Sequence, residues 1–149
     1  MMPQKRKLHK KVLPFSEHHI DAGMLSFAAE KVITRLQQAG YEAYIVGGAV
    51  RDLLLNIEPK DFDVATNATP EEVRKVFRRS RIIGRRFQIV HVMVGPETIE
   101  VTTFRGAGKA QHNEHGRIMK DNTYGTMEED ALRRDFTCNA LYYDPIHRQ

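Results

Sequence analysis

Apolar residues recur along the chain first at helical and then at strand spacing, and the change of period marks out the elements. From Asp21 to Ala39, Leu25, Ala28, Val32, Leu36 and Ala39 fall on one helical face, and Gly40 supplies a stop. Tyr44-Ile45-Val46 is a short apolar run that predicts a buried strand. Gly47-Gly48 breaks it, and Ala49-Val50-Arg51-Asp52-Leu53-Leu54-Leu55 opens a second helix. Further on, Thr69-Pro70-Glu71-Glu72 joins a capping threonine, a proline at the first helical position and a glutamate able to close a capping box. A helix through about Arg78 is predicted. Arg81-Ile82-Ile83, Ile89–Val94 and Thr98–Phe104 read as strands, the last two joined as a hairpin at Gly95-Pro96. Residues 105–122, with Gly106, Gly108 and Gly116, read as a long loop, and Thr126-Met127-Glu128-Glu129 begins a closing helix through Arg133-Arg134. The hairpin is antiparallel, whereas the helical crossovers before it predict parallel neighbours. The expected architecture is α+β, a mixed sheet with helices packed on one side.

Candidate chemistry concentrates between the first strand and Val64. Successive strand side chains point to opposite faces, so the apolar frame around Asp61 and Asp63 aims both carboxylates to one side, where they can chelate magnesium. Gly47 and Gly48 let the backbone approach a ligand, and the helix start behind them offers free N–H groups to phosphate. Arg51, one turn in, adds a charge-assisted contact. A polyphosphate cradle beside a divalent-metal site implies phosphoryl or nucleotidyl transfer. Two candidates exist for a third acid: Glu100, which faces away from the core with Thr102 if Ile99 and Val101 point inward, and Asp135 after Arg133-Arg134. The sequence does not rank them. Arg51, Arg85, Arg86, Arg105, Arg133 and Arg134 each sit at a glycine turn or an element end, and the planar guanidinium suits phosphate oxygens. His91, after Ile89-Val90, reads as a packed or hydrogen-bonded core histidine rather than an acid–base group, and Cys138 as a small buried residue. No nucleophile elbow is present, so covalent acyl chemistry has no support.

Composition narrows the setting more than the chemistry. A chain of 149 residues with 41% hydrophobic content forms one ordinary core. The formal charge of +4 suits an anionic partner. One cysteine excludes an internal disulfide framework, and no Cys and His spacing resembles a zinc site, so a reducing compartment, the cytoplasm, is expected. No apolar run is long enough to span a membrane, and no membrane partner is expected. Residues 1–19, with Lys5, Arg6, Lys7, Lys10 and Lys11, read as a flexible basic arm ahead of a domain over 20–149. Oligomeric state leaves no trace in the sequence.

Four blocks together carry a family resemblance: Ile45-Val-Gly-Gly-Ala-Val-Arg-Asp-Leu-Leu-Leu55, Asp61-Phe-Asp63, Ile99-Glu-Val-Thr-Thr-Phe-Arg105 and Arg133-Arg-Asp-Phe-Thr-Cys-Asn-Ala140. They span most of residues 40–143 and resemble the head domain of the class II branch of polymerase-beta-like nucleotidyltransferases. That branch holds bacterial poly(A) polymerases and tRNA CCA-adding enzymes. The run Gly84–Val92 followed by Gly95-Pro96-Glu97 is more similar to the poly(A) polymerase version. The resemblance implies a polymerase-beta-like head that adds AMP from ATP to RNA 3′ ends and releases pyrophosphate, with CCA addition to tRNA, or a non-catalytic nucleotide or RNA-binding module, as alternatives. It implies a two-metal Mg2+ site on Asp61 and Asp63, Asp135 as a further active-site acid, and Gly48, Arg51 and Arg134 as nucleotide contacts beside Gly47. Glu100 matches a family acid on the strand next to the metals. Family members continue into neck, body and tail domains, the neck carrying base-reading residues, so the chain is expected to be a piece of a longer protein. Cys138 and Ala140 are minor variants of the last block.

Overall fold

Ser26 sets the start of the longest helix: its Oγ accepts a hydrogen bond from the Ala29 N–H at 3.2 Å, so the helix begins at Phe27 rather than near Asp21. Leu25 matches the helical period but precedes the cap. At the other end Gly40, at φ 94°, lets Tyr41 and Gly40 donate back to Leu36 and Gln37, which satisfies two of the last carbonyls.

The computed structural model describes residues 12–20, 24–85, 87–106, 111–112, 118–120, 124–133, 141–147 and 149. The helices are α1 (Phe15–His18), α2 (Phe27–Gln38), α3 (Gly48–Leu54), α4 (Pro70–Val76) and α5 (Met127–Arg133). The strands are β1 (Ala43–Val46), β2 (Asp63–Thr66), β3 (Ser80–Ile83), β4 (Ile89–Val94), β5 (Glu97–Thr103), β6 (Gln111–His112), β7 (Ile118–Lys120) and β8 (Tyr142–Tyr143).

Six strands form one sheet in the order β3-β4-β5-β2-β1-β8. Among the described residues only β2 and β5 pair in parallel; the β4–β5 hairpin is antiparallel as expected. The expectation of parallel pairing across the first helical connection fails, because β1 and β2 are antiparallel. Helix α3 leaves one residue after β1 and lasts two turns, and Asn56 at φ 59° helps reverse the chain, so β2 starts beside the end of β1. That reversal brings the glycine pair and the Asp61-Phe62-Asp63 segment to one place.

Ile45, Val64, Val90 and Val101 stand side by side on one face and are fully buried under α2 and α4, whose contributions include Val32, Leu36 and Val73. Each such side chain contributes about 1.5–3 kcal/mol of burial. A smaller cluster of Val46, Ala65 and Phe104 lies on the opposite face, with Met127 of α5 packed against it. Helix α4 begins with the full capping box of Thr69 and Glu72.

Three regions depart from the sequence reading. Within 105–122, read as a loop, β6 and β7 pair as a two-stranded sheet. Strand β8, which was not anticipated, extends the main sheet, and the Asp144 carboxylate behind it accepts from Gln37 Nε2 at 3.1 Å and from the Ile146 and His147 N–H groups. Of the segment read as a basic arm, residues 12–19 are described, and α1 docks: His18 is buried with its ring edge-on to Tyr143 at 5.5 Å. Ile20 follows it into the core, and its carbonyl accepts from the Tyr143 hydroxyl.

Candidate active site

Asp63 is the first residue of β2, paired with Val46 at the end of β1 on one side and with Glu100 in the middle of β5 on the other. Glu100 in turn pairs with His91 of β4, and His91 with Arg81 of β3. Side chains at paired positions share a face, so Asp63, Glu100, His91 and Arg81 form a row on the face turned away from α2 and α4. Their chain neighbours Val64, Val101, Val90 and Ile82 point into the core. Glu100 therefore stands with Thr102 on the open side, as its alternation with Ile99 and Val101 predicts. His91 is half-buried on that same side, and its reading as a core histidine is corrected. The apolar Ile89-Val90 before it suggested burial, but strand parity places His91 opposite Glu100.

Phe62 fixes how the two aspartates are presented. It is 6% exposed within the main core, while Asp61 and Asp63 on either side are exposed. One residue beyond Val46, Gly47 adopts φ 72°, ψ −143°, and among the described residues no heavy atom other than those of its chain neighbours lies within 4 Å of where a Cβ would stand. Backbone conformation rather than crowding requires glycine there. The turn starts α3, whose first N–H groups lack acceptors within the helix. Arg51 folds back over this start: a Cβ on Gly48 would touch its Nη2 at 3.5 Å, and Nε and Nη2 both donate to Asp52 Oδ1 at 3.3 and 3.2 Å. The Arg51 side chain is 55% exposed, so its guanidinium stays accessible to an anion.

Asp130, which the sequence did not single out, anchors α5 on the open face. It is 2% exposed; Oδ1 accepts from the Arg105 N–H at 3.1 Å and Oδ2 from the Tyr142 hydroxyl at 2.6 Å. Thr126 and Glu129 cap the helix reciprocally, as expected.

This arrangement can be set beside known proteins. The family described as Poly A polymerase head domain matches residues 43–149. The chain belongs to the poly(A) polymerase head-domain family. Poly(A) polymerase I of Salmonella typhi is 54% identical over 143 residues, covering 91% of this chain and 31% of that protein. The crystal structure of the Bacillus stearothermophilus CCA-adding enzyme in complex with CTP superposes with a TM-score of 0.67 at 39% identity, over 82% of this chain and 28% of that one. A tRNA nucleotidyltransferase complexed with a primer tRNA and an incoming ATP analog gives a TM-score of 0.50 at 28% identity, over 75% of this chain and 30% of that one. The chain spans about 31% of the length of the first of these. Its higher identity to the poly(A) polymerase agrees with the lean read from residues 84–97.

Poly(A) polymerase heads are expected to work with magnesium, and the residues present suit that ion. Asp61, Asp63 and Glu100 are hard oxygen donors at one end of the sheet, two of them exposed. Among the described residues no three acids or histidines converge closely enough to cage a metal unaided. Magnesium needs no such cage, since it binds through one or two carboxylates and takes its remaining ligands from water and substrate phosphate.

The other arginines divide. The Arg105 guanidinium lies 3.7 Å from the centre of the Phe87 ring, and Arg105 is five residues past Glu100, about 16 Å along the strand direction. Arg85 is exposed in the β3–β4 turn. Neither joins Arg51 near the aspartates. Arg134 and Asp135, read as a nucleotide contact and an active-site acid, lie outside the described residues, as do Arg86 and Cys138.

Proposed function

We propose that this chain is the head of a template-independent RNA nucleotidyltransferase that adds AMP from ATP to RNA 3′ ends and releases pyrophosphate. The observation that carries the reading is the register of Asp63 between Val46, which leads into the Gly47 turn, and Glu100. It sets the Asp63 and Glu100 carboxylates beside the start of α3, whose free backbone N–H groups would donate to phosphate. Family membership and the higher identity to poly(A) polymerase I support adenylate as the added unit.

Asp61 and Asp63 would hold magnesium, with Glu100 on the neighbouring strand as a further acid. The bound ions supply Lewis acidity for the 3′-hydroxyl and the departing pyrophosphate. Gly47 and Gly48 would lie under the triphosphate, Arg51 would reach its oxygens from one turn into α3, and Arg134 and Asp135 would complete the set. Buried Phe62 between exposed Asp61 and Asp63 supports a site that would need little reorganisation on binding substrate. The single cysteine, with no disulfide framework, supports a cytoplasmic setting.

CCA addition is the second reading, favoured by the likeness to the CTP complex of a CCA-adding enzyme. Extension of a labelled oligonucleotide primer and of a tRNA lacking its terminal nucleotides, each with ATP or CTP, separates the two. Adenylate transfer to the oligonucleotide supports polyadenylation; cytidylate transfer confined to the tRNA overturns it.

A further inference from the structure

Residues 73–91 contain seven arginines and lysines and no acidic residue, so this stretch alone exceeds the +4 formal charge of the chain. The structure gives that charge a position. Strand β3 is the outer edge of the main sheet, and Arg81 occupies the row that runs through His91 and Glu100 to Asp63. Arg79, in the bend just before β3, is held beside β4 by its carbonyl, which accepts from the Met93 N–H at 2.8 Å. Along the strand axis Arg81 is level with Asp63. Both arginines are exposed. With strands about 4.8 Å apart, Arg81 stands about 14 Å across the sheet from Asp63, with half-buried His91 and Glu100 between them. The face thus runs from acidic at β2 to basic at β3, without a helix start or a closed pocket being involved.

We propose that Arg79 and Arg81 bind the phosphate backbone of the single-stranded RNA just upstream of the 3′ end that reacts at Asp61 and Asp63. The proposal rests on the nucleotidyltransferase reading for the direction of the strand, and on charge and register for its path. A polyanion whose terminal hydroxyl sits at the acids must leave the site along a surface that does not repel it. The row toward β3 offers that route, and exposed guanidinium groups bind phosphate oxygens bidentately. Edge arginines also discourage strand pairing between molecules, a purely structural role that would affect aggregation but not RNA binding.

The test is the salt dependence of binding of a fluorescent single-stranded oligoadenylate to the full chain, beside Mg2+-ATP binding by calorimetry. Two phosphate contacts on a single strand contribute about 1.4 to the slope of log K against log salt, so Arg79→Gln with Arg81→Gln should flatten it by that amount. ATP affinity should be unchanged. Lys31→Gln with Arg35→Gln, exposed positions of α2 outside the 73–91 stretch and of equal charge, should leave the slope intact, and Arg79→Lys with Arg81→Lys should retain it. A wild-type slope in the double glutamine variant, or no salt-dependent RNA binding by the wild type, overturns the proposal while intact ATP binding leaves the nucleotidyltransferase reading standing. Loss of ATP affinity with RNA affinity unchanged would assign the strip to nucleotide and overturn it as well.

Discussion

Asp63 and Glu100 are register partners across the one parallel strand pair among the described residues, so two carboxylates that are 37 positions apart in sequence stand side by side on the open face of the main sheet. The pairing depends on the reversal after α3, which starts β2 at the end of β1, and on the β4–β5 hairpin, which returns β5 alongside β2. Like charges at adjacent positions repel, and a bound cation relieves that repulsion.

Phe62→Ala should destabilise the chain by about 3–5 kcal/mol, because it removes a buried ring from the main core. The same substitution releases the two flanking aspartates, so nucleotide affinity should fall in conditions where the variant is still folded. Urea unfolding and calorimetry measure the two effects separately.

Gly47→Ala should cost about 1–3 kcal/mol although nothing occupies the space a methyl group would enter. The loss comes from φ 72°, ψ −143°, a region that side chains rarely adopt. A shift of the urea midpoint with an unchanged m-value is the expected signature.

Asp130→Ala should destabilise by at least about 2 kcal/mol, since it leaves the Arg105 N–H and the Tyr142 hydroxyl without that acceptor. Asp130→Asn, which keeps one acceptor oxygen, should lose less. Arg134 and Asp135 follow α5 in sequence, so under the proposed function both variants should also lower ATP affinity in calorimetry, the alanine variant more.

Asp144 predicts a pH dependence. Burial pushes its carboxyl upward, but hydrogen bonds from His147, Gln37 and the His147 and Ile146 N–H groups outweigh this and hold the pKa below its usual value. A group depressed in the folded state stabilises the fold above its unfolded pKa, near 3.8, and loses that contribution as pH falls through the lower folded value. Asp144→Asn should therefore be less stable than wild type at neutral pH. The difference should shrink below about pH 4 in urea titrations across pH.

Much of the geometry around the candidate site is legible because its signals are local. The alternation of Asp61, Phe62 and Asp63, the glycine pair before α3, and Ile99, Glu100 and Val101 each specify a face from neighbouring residues alone. The capping boxes at Thr69 and Thr126 did the same for two helix starts. What the sequence hid is non-local. The row from Asp63 to Arg81 depends on strand register, so His91 read as core. The antiparallel β1–β2 pair depends on the chain reversing after a two-turn helix. Strand β8 is two tyrosines long, too short to show a period, and β6 and β7 are hidden among glycines and polar residues.

Magnesium-dependent ATP binding to the wild-type chain and to Asp61→Asn and Asp63→Asn, followed by calorimetry, tests the central claim most directly. The account predicts binding that needs the ion in the wild type and is lost in both variants, with the folds intact by circular dichroism. Equal ATP affinity in all three proteins, or affinity unaffected by removing magnesium, would contradict it.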